Sequence, residues 1–116
     1  MKRGEDQIQR AILQHLALRA VRNSFWFHVP NGGWRSPVEA RVFKGLGVKA
    51  GVPDLILIAN AKAYALELKT EGGRLTPIQR TVHVLLAAAG AEVATAYGLD
   101  QALEQLGQWG LLRGNG

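Results

Sequence analysis

Asp54, Glu67 and Lys69 are the residues of this chain whose types and spacing are best suited to chemistry. Asp54 stands at the mouth of an apolar run. Twelve residues intervene before Glu67-Leu68-Lys69 closes a second apolar run, and Gln79 follows in the first turn of a helix signature. Side chains alternate faces along a strand, so Glu67 and Lys69 project to one side while Leu66 and Leu68 project to the other. If the two runs are strands joined by a tight return, the start of one lies beside the end of the next. Asp54 then meets Glu67 and Lys69 at one end of a sheet. Two like charges about 4 Å apart repel by roughly 4 kcal/mol at an effective dielectric near 20. A bound Mg²⁺ or Mn²⁺, which takes oxygen ligands, turns that repulsion into coordination. Lys69 offsets part of it and can orient or activate an attacking water. Such a set holds a hard metal ion against a phosphate, which points to metal-dependent cleavage of nucleic acid. The competing reading is plainer: an exposed Glu-x-Lys pair on a strand edge, and an aspartate in an unrelated Pro-Asp turn.

The elements that must position these residues follow from periodicity. Residues 5 to 22 read as a helix, with Ile8, Ile12 and Leu16 recurring every four positions. Glu5 lies on the same side as that stripe. Asn23-Ser24 ends the helix, and 25–29, aromatic-rich, read as a strand followed by a Pro30-Asn31-Gly32-Gly33 loop. Ser36-Pro37-Val38-Glu39 carries a serine cap, a proline at the first helical position and a glutamate able to return the capping bond. That helix stops at Gly45-Leu46-Gly47. Strands are expected over 54–59 and 63–69, antiparallel to each other through the tight connection Asn60-Ala61-Lys62. Thr76-Pro77-Ile78-Gln79 repeats the capping design and opens a helix to about Ala89. A last strand spans 91–97, and Asp100 is expected to cap a final helix through Gln108. The order is α-β-α-β-β-α-β-α, a mixed sheet flanked by helices in a single domain over 1–116. The apolar tail Trp109-Gly110-Leu111-Leu112 either packs on its own domain or meets a second subunit.

Composition narrows the class. A chain of 116 residues can bury a core without disulfides, and with no cysteine it has no thiolate metal centre. The charged N-terminus lacks the apolar core of a signal peptide, and the longest apolar stretch is too short to span a bilayer. These features suit a cytoplasmic protein, in a bacterium or a host cell. The net charge of +5 favours polyanion partners. Arg35, Arg41, Lys44 and Lys49 outnumber Glu39 just before Asp54, giving a local sum of +3. With Arg74 and Arg80 these cations are the phosphate-contact candidates, against the reading of an ordinary solvated surface. Trp34-Arg35 could stack on DNA or sit packed under its own loop. His15, His28 and His83 have no evident metal-ligand partner in the sequence and read as structural or surface residues.

Taken together, Pro53-Asp54 and Glu67-Leu68-Lys69 resemble the PD-(D/E)XK nuclease signature. The details around them are narrower. Gly51-Val52-Pro53-Asp54-Leu55, Glu67-Leu68-Lys69-Thr70, Gly73-Arg74-Leu75-Thr76-Pro77 and Gln79 are similar to the VRR-NUC branch of that superfamily. An acid in the first helix, Glu5, and Asn31-Gly32 before the second helix belong to the same pattern. The resemblance covers Glu5 to about Tyr97. It implies a restriction-endonuclease-like fold and phosphodiester hydrolysis assisted by Mg²⁺ or Mn²⁺. It further implies Asp54, Glu67, the Leu68 carbonyl and Glu5 as metal ligands, with Lys69 positioning the nucleophile and Gln79 lining the site. Stand-alone members of this branch resemble Holliday junction resolvases, homodimers that act on branched DNA, and a chain this short leaves no room for a fused domain. Gln79 keeps two readings, active-site residue and helix-cap partner, and Glu5 keeps the alternative of a first-turn acid favoured by the helix dipole. The alternative function is a basic DNA-binding module that retains the fold without turnover.

Overall fold

The computed structural model describes residues 3–30, 36–47 and 49–114; the expected cation Arg35, with Trp34 and Asn31-Gly32, lies outside the described residues. The elements are α1 (Arg3–Arg19), β1 (Ser24–His28), α2 (Pro37–Gly45), β2 (Leu55–Ala59), β3 (Lys62–Lys69), α3 (Pro77–Ala88), β4 (Glu92–Tyr97) and α4 (Leu99–Gln108). Their order matches the α-β-α-β-β-α-β-α expectation, and the fold is a mixed four-stranded sheet with flanking helices. The strands lie side by side as β1-β2-β3-β4. β2 pairs antiparallel with β1 on one side and with β3 on the other, whereas β4 returns parallel to β3 after the α3 crossover.

Alternation sorts the sheet into two faces. Leu55, Leu57, Tyr64, Leu66, Leu68 and Ala96 turn inward and meet Ile12 and Leu16 of α1 and Ala102 and Leu106 of α4. Residues of opposite parity, among them Glu67 and Lys69, turn to the outer face. There α3 contributes no fully buried residue. The β2–β3 turn is tighter than the three-residue connection expected. Asn60 and Ala61 both adopt left-handed backbone (φ 54° and 62°), and Lys62 already pairs with Ala59. Two positive-φ residues are what a two-residue hairpin turn requires, because its twist then matches that of the strands.

Three boundaries differ from expectation for identifiable reasons. α1 ends at Arg19 rather than near residue 22, because the C-terminal tail competes for its backbone. Val21 N–H donates to the Leu111 carbonyl at 3.0 Å, and Ala20 bridges Leu112. Arg113 then satisfies carbonyls left open at the helix end, those of Leu18 and Ala20, each at 3.0 Å. The tail thus packs on its own domain, with Trp109 tilted against Tyr64 at a ring-centroid distance of 5.1 Å. Asp100 does not cap α4. Gly98 occupies the cap position without a side-chain bond, and Asp100 sits in the first turn. Instead, the Gln101 side chain accepts the Tyr97 N–H at 2.9 Å. Asp54, expected as the first strand residue, stands one position before β2. Among the described residues no helix is long and apolar enough to cross a membrane.

Candidate active site

The register of β2 and β3 decides where the acids go. Leu55 pairs with Leu66, so continuing the ladder by one step sets Asp54 opposite Glu67. Directly opposed residues of an antiparallel pair share a face and hold their Cβ atoms about 4.5–5.5 Å apart. Asp54 and Glu67 are therefore brought together on the outer face by strand pairing alone. Both are buried, at 4% and 2% exposure, and Lys69 at 8% is buried with them. Glu5, in the first turn of α1, is 9% exposed.

Asp54 is held from several directions. Its Oδ2 accepts the Leu68 N–H at 2.7 Å, a short charge-assisted bond. Its backbone carbonyl accepts the Val29 N–H at 2.8 Å and lies 3.1 Å from His28 Nδ1. Upstream, Gly51 (φ +84°) lets the preceding loop press onto α3, since a Cβ there would stand 2.6 Å from Ile78 Cγ2. Lys69 ends β3, and its carbonyl accepts the Gly98 N–H at 2.9 Å. Gly73 folds back over it. A Cβ at residue 73 would come within 3.0 Å of the Thr70 carbonyl oxygen and 3.4 Å of Lys69 Cβ.

The electrostatics register the crowding. Burial pushes the Glu67 carboxyl from 4.5 up to about 9. Its contact with Asp54 and the charges of Asp54 and Glu5 add to the shift, and Lys69 opposes it. Glu67 consequently holds a proton at neutral pH when no cation is present. That is the expected state of two acids forced into one buried site. His83, on α3, closes the pair from above. Its Nε2 lies 3.2 Å from Glu67 Oε1, with the two side chains only 12% and 3% exposed. Burial lowers the His83 pKa below its ordinary value; the charge of Asp54 opposes the shift and Lys69 adds to it.

The remaining candidates divide. Gln79 forms the reciprocal cap with Thr76. Its Oε1 accepts the Thr76 N–H at 2.9 Å, and its own N–H donates to Thr76 Oγ1 at 3.1 Å. The amide oxygen is thus engaged by the cap, and only the amide donors stay free for a site role. Ser36 and Glu39 build the same box at α2. Arg41, Lys44, Lys49, Arg74 and Arg80 are all exposed, and the guanidinium of Arg80 donates to the Leu75 carbonyl at 3.1 Å. Two histidines read from the sequence as structural or surface residues touch the acid pair or its backbone, His83 and His28. For His83 a signal existed: it follows Gln79 by four residues, one turn along the same helix face. One turn after Glu5, Gln9 keeps a buried side-chain oxygen without a hydrogen-bond partner.

The donor set suits a small hard cation in part. Among the described residues no three His, Asp or Glu side chains form a ready metal cage. Mg²⁺ does not need one. It binds through one or two carboxylates and completes its shell with waters and substrate phosphate. A buried carboxylate pair that must otherwise retain a proton fits that demand, with Leu68 adjacent in the backbone.

A family model described as the VRR-NUC domain matches residues 3–100. A solved structure described as a VRR_NUC domain protein is 29% identical, covers 94% of this chain and 89% of its own, and superposes with a TM-score of 0.73. A second, described as a VRR_NUC domain, is 18% identical, covers 90% of this chain and 95% of its own at a TM-score of 0.59, a likeness of fold alone. No curated protein matches the chain.

Proposed function

We propose that this chain, which belongs to the VRR-NUC domain family and has its nuclease-type fold, is a metal-dependent DNA endonuclease acting on branched or four-way DNA. One observation carries the reading: Asp54 and Glu67 are opposed in the β2–β3 register and buried together with Lys69, and burial, with Asp54 alongside, pushes the Glu67 carboxyl up to about 9. Asp54 and Glu67 would hold Mg²⁺ or Mn²⁺, joined by the Leu68 carbonyl and Glu5. Such an ion supplies a bound water of lowered pKa and neutralises charge on the scissile phosphate. Lys69 orients the attacking water and stabilises charge developing on the phosphate oxygens. Asp54, fixed through the Leu68 N–H, keeps its orientation as charge moves. The amide donors of Gln79 face substrate or water from the α3 side. Arg41, Lys44, Lys49, Arg74 and Arg80, with Arg35, contact phosphates and set the register of the DNA. A binding module without turnover has no use for two buried acids near DNA, since they repel phosphate unless a cation intervenes.

Pairing with a second copy belongs to the same proposal. Phe25, Phe27 and Ile58 on the outer face and Val38, Val42 and Leu46, spaced by four along the α2 segment, are exposed at 42% or more. Apolar area left open in this way suits a partner, and twofold homodimers are the commonest assembly. Arg41 and Lys44 lie on the same helix, so pairing through α2 gathers cations from both copies toward a branched substrate.

The test is incubation with labelled linear, flapped and four-way DNA in Mg²⁺, Mn²⁺ or EDTA. Metal-dependent cleavage is expected, abolished by Glu67→Ala and by Lys69→Ala while both variants still fold and bind DNA. Cleavage that survives both substitutions would refute the site. Sedimentation at micromolar concentration should give a dimer, and a strict monomer would overturn the pairing.

A further inference from the structure

We infer that His83 is a positioning residue for Glu67: its imidazole holds carboxylate oxygen Oε1 and thereby turns the other oxygen toward the cation. The inference rests on the nuclease reading above. Three observations support it. First, His83 Nε2 stands 3.2 Å from Glu67 Oε1, within reach of a hydrogen bond from the Nε2–H tautomer. Second, both side chains are nearly excluded from solvent, at 12% and 3% exposure, so water does not replace the bond. Third, the half-buried positions on the inward side of α3 are Gln79, Val82, His83 and Leu86, one helical stripe in which histidine follows a valine. An apolar residue there would pack as well against the sheet. Histidine in its Nε2–H tautomer adds an N–H donor within reach of one oxygen of one carboxylate.

An unrestrained glutamate can rotate about χ3 and exchange its two oxygens. Asp54 restrains Glu67 from the neighbouring strand, and His83 restrains it from the helix above. The carboxylate is thereby gripped between sheet and helix, and its orientation no longer depends on the ion. Partners of this kind on metal-binding carboxylates and histidines typically change metal affinity or activity by about 10–100-fold when removed.

The experiment uses the intact chain and two readouts. Calorimetric titration measures Mn²⁺ binding at one pH, with Glu67→Gln as the control that locates the ion. Steady-state kinetics on four-way DNA separates kcat from KM. His83→Leu keeps apolar bulk on the stripe but lacks the donor. It should weaken Mn²⁺ binding roughly 10-fold or more and lower kcat, with KM for DNA unchanged. His83→Gln places an amide N–H near the position of Nε2 and should recover most of the Mn²⁺ affinity. If His83→Leu does not fold, His83→Met replaces it as the donor-free variant. Wild-type Mn²⁺ affinity and kcat in the donor-free variant would overturn the role of His83 and leave the nuclease reading standing. Equal loss in His83→Gln and His83→Leu would also overturn it, since bulk and not the hydrogen bond would then be at issue. A wild-type chain that neither binds Mn²⁺ nor cuts DNA would overturn both.

Discussion

On the inner face of the sheet Leu55, Leu57, Leu66 and Leu68 are no more than 2% exposed, whereas on the outer face Phe25, Phe27 and Ile58 are 66%, 42% and 45% exposed. The same strands supply both sets, by alternation. α1 and α4 cover the inner face, leaving Trp26 and Ala94 of the edge strands partly buried. On the outer face α3 packs against β4 and reaches the end of β3 through His83, which meets Glu67. One face therefore carries the stability of the domain, and the other is divided between a buried polar site and open apolar surface. The division explains how a small domain holds two acids out of water: the cost falls on a face that contributes little to the core.

The largest expected effect tests that division through activity. Glu67→Gln should abolish metal-dependent cleavage of four-way DNA while circular dichroism and inner-face packing stay native. Loss of the fold in this variant would mean that the outer site supports the core after all. Next, Leu66→Ala on the inner face should destabilise the chain by roughly 2–5 kcal/mol, from lost transfer energy and an unfilled cavity. Phe25→Ala on the outer face should change stability by no more than about 0.5 kcal/mol, with any larger effect appearing in self-association. Urea titration of both variants at low protein concentration checks the contrast.

A subtler effect comes from pH. The folded Glu67 carboxyl sits at about 9 against 4.5 for the ordinary group. A group raised on folding contributes stability that is fully present below its unfolded pKa. That contribution is lost as pH climbs toward the folded value. Without metal, thermal stability should therefore decline between pH 4.5 and about 9, and Glu67→Gln should flatten the decline. Mn²⁺ should restore the loss at the alkaline end, because an ion that binds only the folded state stabilises it. A metal-free melting profile equally steep in wild type and Glu67→Gln would show that other groups dominate. Smallest of all, Ala61→Gly should stabilise the β2–β3 turn by roughly 0.5 kcal/mol, since Ala61 holds φ 62° at a cost that glycine avoids. No gain in the denaturation midpoint would mean that the turn bears no strain. It would then transmit none to the opposed acids at the other end of the hairpin.

Most of the architecture was legible in the chain because its signals are local. The Thr76/Gln79 and Ser36/Glu39 boxes, the glycine stops and the apolar alternation of β2 and β3 each act within a few residues. The main exception involves distant partners. α1 is shortened by a tail about ninety positions away, through Arg113 and Leu111. The start of α4 is a local exception: Gly98 takes the cap position before Leu99, and the Gln101 side chain, not that of Asp100, accepts the Tyr97 N–H. Within the site, Asp54, Glu67 and Lys69 could be selected by type and parity. His83 had only an indirect signal, its place one turn after Gln79 on the same helix face; that it meets Glu67 depends on how α3 docks on the sheet.

Local chain chemistry determined which groups could act together: strand parity set Glu67 and Lys69 on one side, and a short turn returned the chain so that an aspartate met a glutamate. Docking of helices from elsewhere in the chain decided how dry that meeting point is, how far the Glu67 proton affinity rises, and which imidazole rests on its oxygen. The reason is physical. Backbone hydrogen bonds and side-chain alternation operate over neighbouring residues, whereas desolvation and electrostatic coupling depend on everything that surrounds a group in space.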